Sequence, residues 1–554
     1  MFISLARVPV SVNLHARSAA GRKTGFQPVR RFRTGPIPAP ANLGRIDPMN
    51  PLPFHFKDCF RLCLPALLLG AFLRISFLFA IPEAHYSADA GSYFEAADYR
   101  WNRLKTKFNE KRRWLYPALL LAAPAFPGST ARSVAVAQHG VGLAAVLAAG
   151  WVAGNLTRRR GLWVPLVSLT VACLPQALWF EHETVAECLF VACFMLATAL
   201  ALPGERLQRP GRLAAFLLAA ATIVLLKPHG KLLWLGCLLA AFWIRRDPRK
   251  WGLAAAGALG LGIFAMVTTG EKKQSAWLFL ASTLPLVDPD GATHSEYRQT
   301  LKPLIQEVTP LLEQYPWKEG DYKKRLRKPE PDAVSPLWGK LAADRERYSK
   351  VANALAREAV LQHPVQFGRL VLAKIGLGLS GADYGSKFQP AHFWEMQAEM
   401  DASRWTEPNR PAELELYYGW NAEEYPGKVA ERSRRAPWPG NGVSKLASWL
   451  APTRNLETPS GPNRLEITAA GWLALAGLCL CMLPSRFSSH LVVWLPAALY
   501  LVGVYAVGDS LPRYALPVEW LLPVFVALFL EQLLTGLLFI WSKMRPASGP
   551  EKTA

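Results

Sequence analysis

Acidic residues are scarce in this sequence. Its 41 Asp and Glu stand against 63 Lys and Arg, a net charge of +22, and such an excess first suggests nucleic acid as a partner. The placement of the cations argues otherwise. They are spread along loops beside apolar runs rather than gathered on one folded domain, so no nucleic-acid partner is expected. Cysteine is missing from the long hydrophilic stretch between 270 and 465. Cys59, Cys63, Cys173, Cys188, Cys193, Cys237, Cys479 and Cys481 lie in or beside apolar runs. That pattern excludes a disulfide framework and a Cys-based zinc site, and makes these side chains small apolar fillers. There is no repeat of fixed period and no two-half symmetry, which many secondary transporters carry. The first 48 residues contain no apolar run long enough for a signal peptide and hold eight Lys and Arg against Asp47 alone. Disorder is expected over 1–60, either as a start-site artefact ahead of Met49 or as a polybasic membrane-binding tail.

What the sequence has in abundance is apolar length. It is 51% hydrophobic, and the apolar residues cluster at 62–82, 133–155, 161–180, 183–202, 251–269, 466–483, 490–508 and 514–541. Each run approaches the roughly 20 residues that cross a bilayer. The stretch 213–244 is interrupted by Lys227-Pro228-His229-Gly230-Lys231 and reads as two short spans meeting in a turn. The expected fold is an all-α polytopic membrane protein of about ten transmembrane helices.

Short-loop cations set the orientation. Arg158 to Arg160, Arg206, Arg209, Arg212, Arg245, Arg246, Arg249, Lys250, Lys543 and Arg545 all fall on one side, which the positive-inside rule makes cytoplasmic. The sequence then divides into a core at 61–269 with an outer loop at 83–114, an extracytoplasmic segment at 270–465, C-terminal spans at 466–541 and a cytoplasmic tail at 542–554. Within the outer segment 341–378 reads as mostly helical, broken at His363-Pro364. Phe367 to Leu379 is short and carries Arg369 and Lys374, so an interfacial helix suits it better than a crossing. Trp394, Trp405, Tyr417, Tyr418, Trp420 and Trp438 enrich the following stretch, either as an interfacial belt or as sugar-stacking rings.

Chemistry is expected on the outer side. Asp89 in Ser87-Ala88-Asp89-Ala90-Gly91-Ser92-Tyr93 precedes Arg100, Arg103, Lys105, Lys107, Lys111, Arg112 and Arg113. An acid beside many cations can act as base or metal ligand while the cations neutralise a phosphate leaving group. A helix continuing from Asp89 would place Tyr93, Ala96 and Ala97 on one face, with Asp89 as its N-cap. Lys227, His229, Lys231, Arg513 and Tyr514 fall in the same outer layer, suited to the phosphate of a lipid-linked sugar or to snorkelling at span ends. Glu181-His182-Glu183 forms a second acidic site, and with Asp89 it is a candidate divalent-metal set, though its spacing fits no fixed ligand motif. Glu187 lies one turn into the membrane, and Arg74, at comparable depth in the first span, is its expected ion-pair partner.

Four local patterns resemble the GT-C superfamily of polyprenyl-phosphate-sugar-dependent glycosyltransferases, in the branch with protein mannosyltransferase-like and lipid A aminoarabinose transferase-like members. They are Asp89 with Tyr93, Arg113-Trp-Leu-Tyr116-Pro117, Pro175-Gln-Ala-Leu-Trp-Phe-Glu181-His-Glu-Thr-Val-Ala-Glu187, and Arg513-Tyr514-Ala-Leu-Pro517. Together they cover roughly 60–280 and 465–540. Members of this branch often carry a second acid directly after the loop Asp. Here that position is Ala90, so no second carboxylate is implied there. The resemblance implies inverting transfer of a sugar from a polyprenyl-phosphate donor, entering from the bilayer, to a protein, lipid or glycan acceptor on the aqueous side of the plasma (inner) membrane. Asp89 would be the base and Lys227, Lys231, Arg513, Arg112 and Arg113 the phosphate stabilisers, with Tyr93, His229 and Tyr514 also lining the donor site. A transporter or flippase for lipid-linked sugars, and a non-catalytic membrane scaffold, are the rival classes.

Overall fold

The computed structural model describes residues 54–86, 89–101, 112–113, 115–123, 128–202, 207, 209–245, 275–312, 345–379, 415, 417–421, 423–433, 453–456, 464–482, 487–507 and 512–544. The expected span 251–269, nearly all of the expected N-terminal disorder, and the loop cations Arg103, Lys105, Lys107 and Lys111 lie outside these residues. So do Trp394, Trp405 and Trp438.

The first helix, α1 (Phe56–Ala80), shows why the chain folds as it does. One of its faces carries Leu64, Leu68, Phe72 and Phe79, all exposed, while Cys59, Cys63, Ala66, Gly70 and Arg74 turn inward. A whole face of exposed large apolar side chains is the pattern of a helix whose outer solvent is lipid. The helix starts at Phe56, so the expected boundary of disorder at residue 60 is corrected: Asp58 in the first turn complements the helix dipole and lets the helix run on through Lys57 and Arg61.

After α1 come α2 (Ala90–Trp101) and α3 (Leu115–Ala122). There follow α4 (Thr130–Leu156), α5 (Arg160–Ala172), α6 (Pro175–Glu181), α7 (Glu187–Ala201), α8 (Pro210–Leu226) and α9 (Gly230–Arg245). Helices α1, α4 and α5 pack on one another, α4 also packs on α7, and α7 on α8. Small residues permit the close approach: a Cβ at Gly150 of α4 would collide with Cys63 Sγ of α1 and Ser168 Oγ of α5. The expected single span 161–180 is broken. Its two halves, α5 and α6, meet at 51°, because Pro175 cannot continue the preceding helix but can begin a new one. The expected span 183–202 starts only at Glu187, since 182–184 leave the helix to pair with His85, whose N–H donates to His182 O (2.7 Å) and whose carbonyl accepts from Thr184 N–H (3.0 Å).

A second apolar core lies in the long hydrophilic region. Leu280, Leu301, Leu304, Val308, Ala352 and Leu355 are buried together, drawn from α10 (Ser275–Thr283), α11 (Ser295–Val308) and α12 (Arg345–Gln362). His363 separates α12 from α13 (Pro364–Leu379), and α14 (Tyr425–Ser433) follows. The mostly helical chain carries one short antiparallel ribbon, β1 (Thr453–Leu456) with β2 (Arg464–Ile467), in register Thr453 to Ile467. The chain ends in α15 (Ala469–Cys481), α16 (Phe487–Val507), the short α17 (Leu516–Glu519) and α18 (Leu521–Met544). Helix α16 packs on α9 and on α13, and α15 on α18.

Phe56–Ala80, Thr130–Leu156, His490–Val507 and Leu516–Met544 are long and apolar enough to cross a membrane, and the bent α5–α6 pair makes a fifth if it is one span. Four shorter apolar helices, Glu187–Ala201, Pro210–Leu226, Gly230–Ala241 and Ala469–Cys481, accompany them. The protein thus has the mostly helical, apolar build of an integral membrane protein.

Candidate functional site

The site collects helix ends. Asp89 directly precedes α2, Glu187 begins α7, Lys227 ends α8, His229 precedes α9, and Arg513 lies in the turn Pro512–Tyr514 ahead of α17. As the pattern from Asp89 predicts, Tyr93, Ala96 and Ala97 share the buried face of α2.

Asp89 is held from two sides. Arg112 Nη2 donates to its Oδ1 at 2.5 Å and Arg513 Nη1 to its Oδ2 at 2.7 Å. Its role is therefore that of an ion-pair centre, with Ser92 Oγ donating to the Asp89 backbone carbonyl at 2.7 Å. Burial pushes the Asp89 carboxyl up, but Arg112 and Arg513 outweigh it and hold the group down at about 2. Arg112 has other anchors: its Nε donates to Ser92 Oγ (2.5 Å) and its guanidinium lies 4.3 Å from the Tyr93 ring. Tyr93 in turn packs edge-on to Tyr116, with ring centroids 4.9 Å apart.

Behind this fork lies a buried pair, Lys227 Nζ donating to Glu187 Oε1. A carboxylate in the first turn of α7 also gains from the helix dipole. Among the described residues Glu187 Oε2 and the Tyr500 hydroxyl are buried without a hydrogen-bond partner. Phe190, Tyr500 and Tyr514 surround His229, with centroids 5.4, 5.7 and 5.5 Å from its ring. Burial, then the charges of Lys227, Arg513, Arg113 and Lys231, push His229 well below the ordinary imidazole range, so it is neutral at pH 7. The structure brings together Asp89, Tyr93, Arg112, Arg113, Lys227, His229, Lys231, Arg513 and Tyr514.

The expected Arg74–Glu187 pair is corrected. Arg74 Nη2 donates to Glu181 Oε1 at 2.5 Å, whereas Glu187 takes Lys227. The break between α5 and α6 is the reason: it turns Glu181 back toward α1, and it frees the Ala172 carbonyl, which accepts from Arg74 Nη1 (3.2 Å). Gly142 of α4 supplies the space, since a Cβ there would collide with the Glu181 carboxylate.

The proposed metal set is corrected as well. Asp89 sits in the fork, while Glu181 Oε2 meets His139 Nδ1 (2.9 Å), His139 Nε2 meets His182 Nδ1 (3.1 Å), and His182 Nε2 donates to the Glu83 carbonyl (2.8 Å). The carbonyl oxygens of Glu181 and Glu183 accept from Gln138 Nε2 at 3.1 and 2.8 Å. Asp89, Glu181, His182 and Glu183 therefore do not converge, and among the described residues no group of three or more His, Cys, Asp and Glu could hold a metal ion.

Sequence reasoning passed over Gln138 and His139, although both are polar residues in an apolar run, the signal that drew attention to Arg74 and Glu187. It also passed over the docking of 415–433. Tyr417 hydroxyl donates to the Ala84 carbonyl (3.1 Å) and bonds Thr184 Oγ1, and Tyr418 hydroxyl accepts from Tyr86 N–H (3.2 Å). These bonds fasten the outer segment to the loop that leads to Asp89. No local pattern reveals such a contact.

No protein-family model matches the sequence, and no curated protein matches it.

Proposed function

We propose that this protein is an inverting GT-C-like glycosyltransferase with about ten membrane spans, an extracytoplasmic cap and its active site on the outer face of the plasma (inner) membrane. The reaction takes a sugar from a polyprenyl-phosphate donor to a protein, lipid or glycan acceptor. The observation that carries this reading is the half-buried carboxylate of Asp89 held by Arg112 and Arg513, with the Lys227–Glu187 pair and an aromatic group of Phe190, His229, Tyr500 and Tyr514 in the same cluster.

The chemistry follows from those groups. An acceptor hydroxyl attacks the anomeric carbon, its proton passes to Asp89, the carbon–oxygen bond to phosphate breaks, and the electron pair leaves on the polyprenyl phosphate. Because a carboxylate is a weak base toward a hydroxyl, proton transfer comes late, and cations that stabilise the departing phosphate contribute most. The half-buried rings of His229 and Tyr514 suit the apolar face of a sugar ring.

The test is donor consumption by the purified protein in detergent, using radiolabelled polyprenyl-phosphate hexoses and pentoses with membrane extract as acceptor source. Wild type is expected to consume at least one donor, and Asp89→Asn to lose about 10²- to 10⁴-fold in rate. Equal turnover in both proteins would remove Asp89 as base, and no consumption of any donor would remove the transferase reading.

A further inference from the structure

The fork at Asp89 has the form of a phosphate site filled by the protein's own carboxylate. Two guanidinium groups from distant segments grip the two oxygens of one anion, the two-point geometry by which arginines bind phosphate oxygens. Neither arginine depends on Asp89 alone for its position. Arg112 is anchored by Ser92 and the Tyr93 ring, and the Arg513 guanidinium lies 5.5 Å from the Tyr514 ring. A fork fixed by its neighbours is preorganised for whatever anion occupies it.

Charge and access point the same way. Arg112, Arg113, Lys227, Lys231 and Arg513 lie close enough together to act on one another and on His229 electrostatically. Among the described residues Arg513 Nε is a buried donor with no hydrogen-bond partner. The Arg112, Asp89 and Arg513 side chains are 20%, 31% and 28% exposed, within reach of an incoming anion. The Lys227 and Glu187 side chains are only 8% and 5% exposed.

We infer that the Arg112–Arg513 fork is a seat for the phosphate ester of a polyprenyl lipid that Asp89 occupies in competition with the ligand, so that seating the phosphate releases the Asp89 carboxylate beside it. This rests on the transferase reading for its role in catalysis, but the ion-pair exchange stands by itself. The two guanidinium–carboxylate pairs are replaced by two guanidinium–phosphate pairs, and no covalent bond changes. In the transferase the exchange makes the base available only once a donor is in place.

The test is equilibrium binding of radiolabelled decaprenyl phosphate to the full-length protein in detergent, with decaprenol and inorganic phosphate as separate arms. Asp89→Asn removes the internal competitor and is expected to tighten decaprenyl phosphate binding about ten- to a hundredfold, the strength of a charge-assisted hydrogen bond. Glu187→Gln removes the same charge from the cluster without vacating the fork and is expected to tighten it far less. Arg513→Ala is expected to weaken binding in both the wild-type and the Asp89→Asn backgrounds. Asp89→Ser serves the same purpose if the amide variant does not fold. Decaprenol binding is expected to be unchanged across the set, and inorganic phosphate competing with the lipid would identify the seat as one for free phosphate too.

Equal or weaker binding by both Asp89 variants would overturn the inference. So would a Glu187→Gln effect as large as that of Asp89→Asn, which would reduce it to net charge, or a failure of both wild type and variants to bind the phosphate. Tighter binding by Asp89→Asn with no sugar consumed by wild type keeps the exchange and removes the transferase. Unchanged binding with Asp89-dependent sugar consumption does the reverse.

Discussion

Two ionic clusters made of the same kinds of residue differ in how far water reaches them. In the inner one Glu181 gives one oxygen to Arg74 and the other to His139, all three side chains being 2–3% exposed. In the outer one Asp89 gives one oxygen to each of two arginines at 20–31% exposure. A sealed ion pair has no exchange partner, and once formed it can only hold helices together, here α1, α4 and α6. An accessible pair can trade one anion for another, which is what binding and catalysis require. The lesson is that ionisable residues in an apolar bundle have to be sorted by access before they are given roles.

The comparison breaks most visibly if rate and stability are measured on one variant from each cluster. Asp89→Asn is expected to lower donor consumption by about 10²- to 10⁴-fold while changing stability by about 1 kcal/mol or less. Arg74→Met should do the opposite. It strands the Glu181 carboxylate in the core at a cost of about 3–5 kcal/mol, read as a lowered thermal midpoint in detergent, and Arg74→Met with Glu181→Gln together should recover part of that loss. A smaller effect is expected from Gly142→Ala, which crowds the Glu181 carboxylate without removing a charge and should cost about 1–3 kcal/mol. If its thermal midpoint matched wild type, the close packing of α4 against Glu181 would be refuted.

The smallest effect is a pH dependence. Asp89 has a folded-state value near 2 against an ordinary 3.8, so the stability its fork supplies is fully present above about pH 4 and is lost as pH falls through 2. The stability difference between wild type and Asp89→Asn should therefore be flat from pH 8 to 4 and shrink toward pH 2. A change in that difference between pH 5 and 8 would show that the arginines do not control the carboxylate.

Much of the bundle was legible because apolar runs announce helices by length and composition. The inward face of α2 was legible from the period of Tyr93, Ala96 and Ala97. The gathering of Lys227, His229, Arg513 and Asp89 was legible because each stands at the edge of an apolar run, and run edges at one end of a bundle meet. The bend at Cys173-Leu174-Pro175 was hidden, since the apolar run continues through it unchanged and Pro175 is tolerated both in a kink and in a new first turn. The attachment of Tyr417 and Tyr418 to Ala84 and Tyr86 was hidden for a different reason. More than 300 residues separate the partners, and no local period records so distant a contact.

By itself the sequence determined that this chain is mostly helical and apolar, and that Asp89, Lys227, His229 and Arg513 stand at the edges of apolar runs, because hydropathy and charge are local properties. The partners were decided by tertiary structure alone. Arg74 meets Glu181 instead of Glu187, Lys227 takes Glu187, and two arginines more than 400 positions apart close on Asp89, because an ion pair depends on where a helix breaks and which end of the bundle its residues reach.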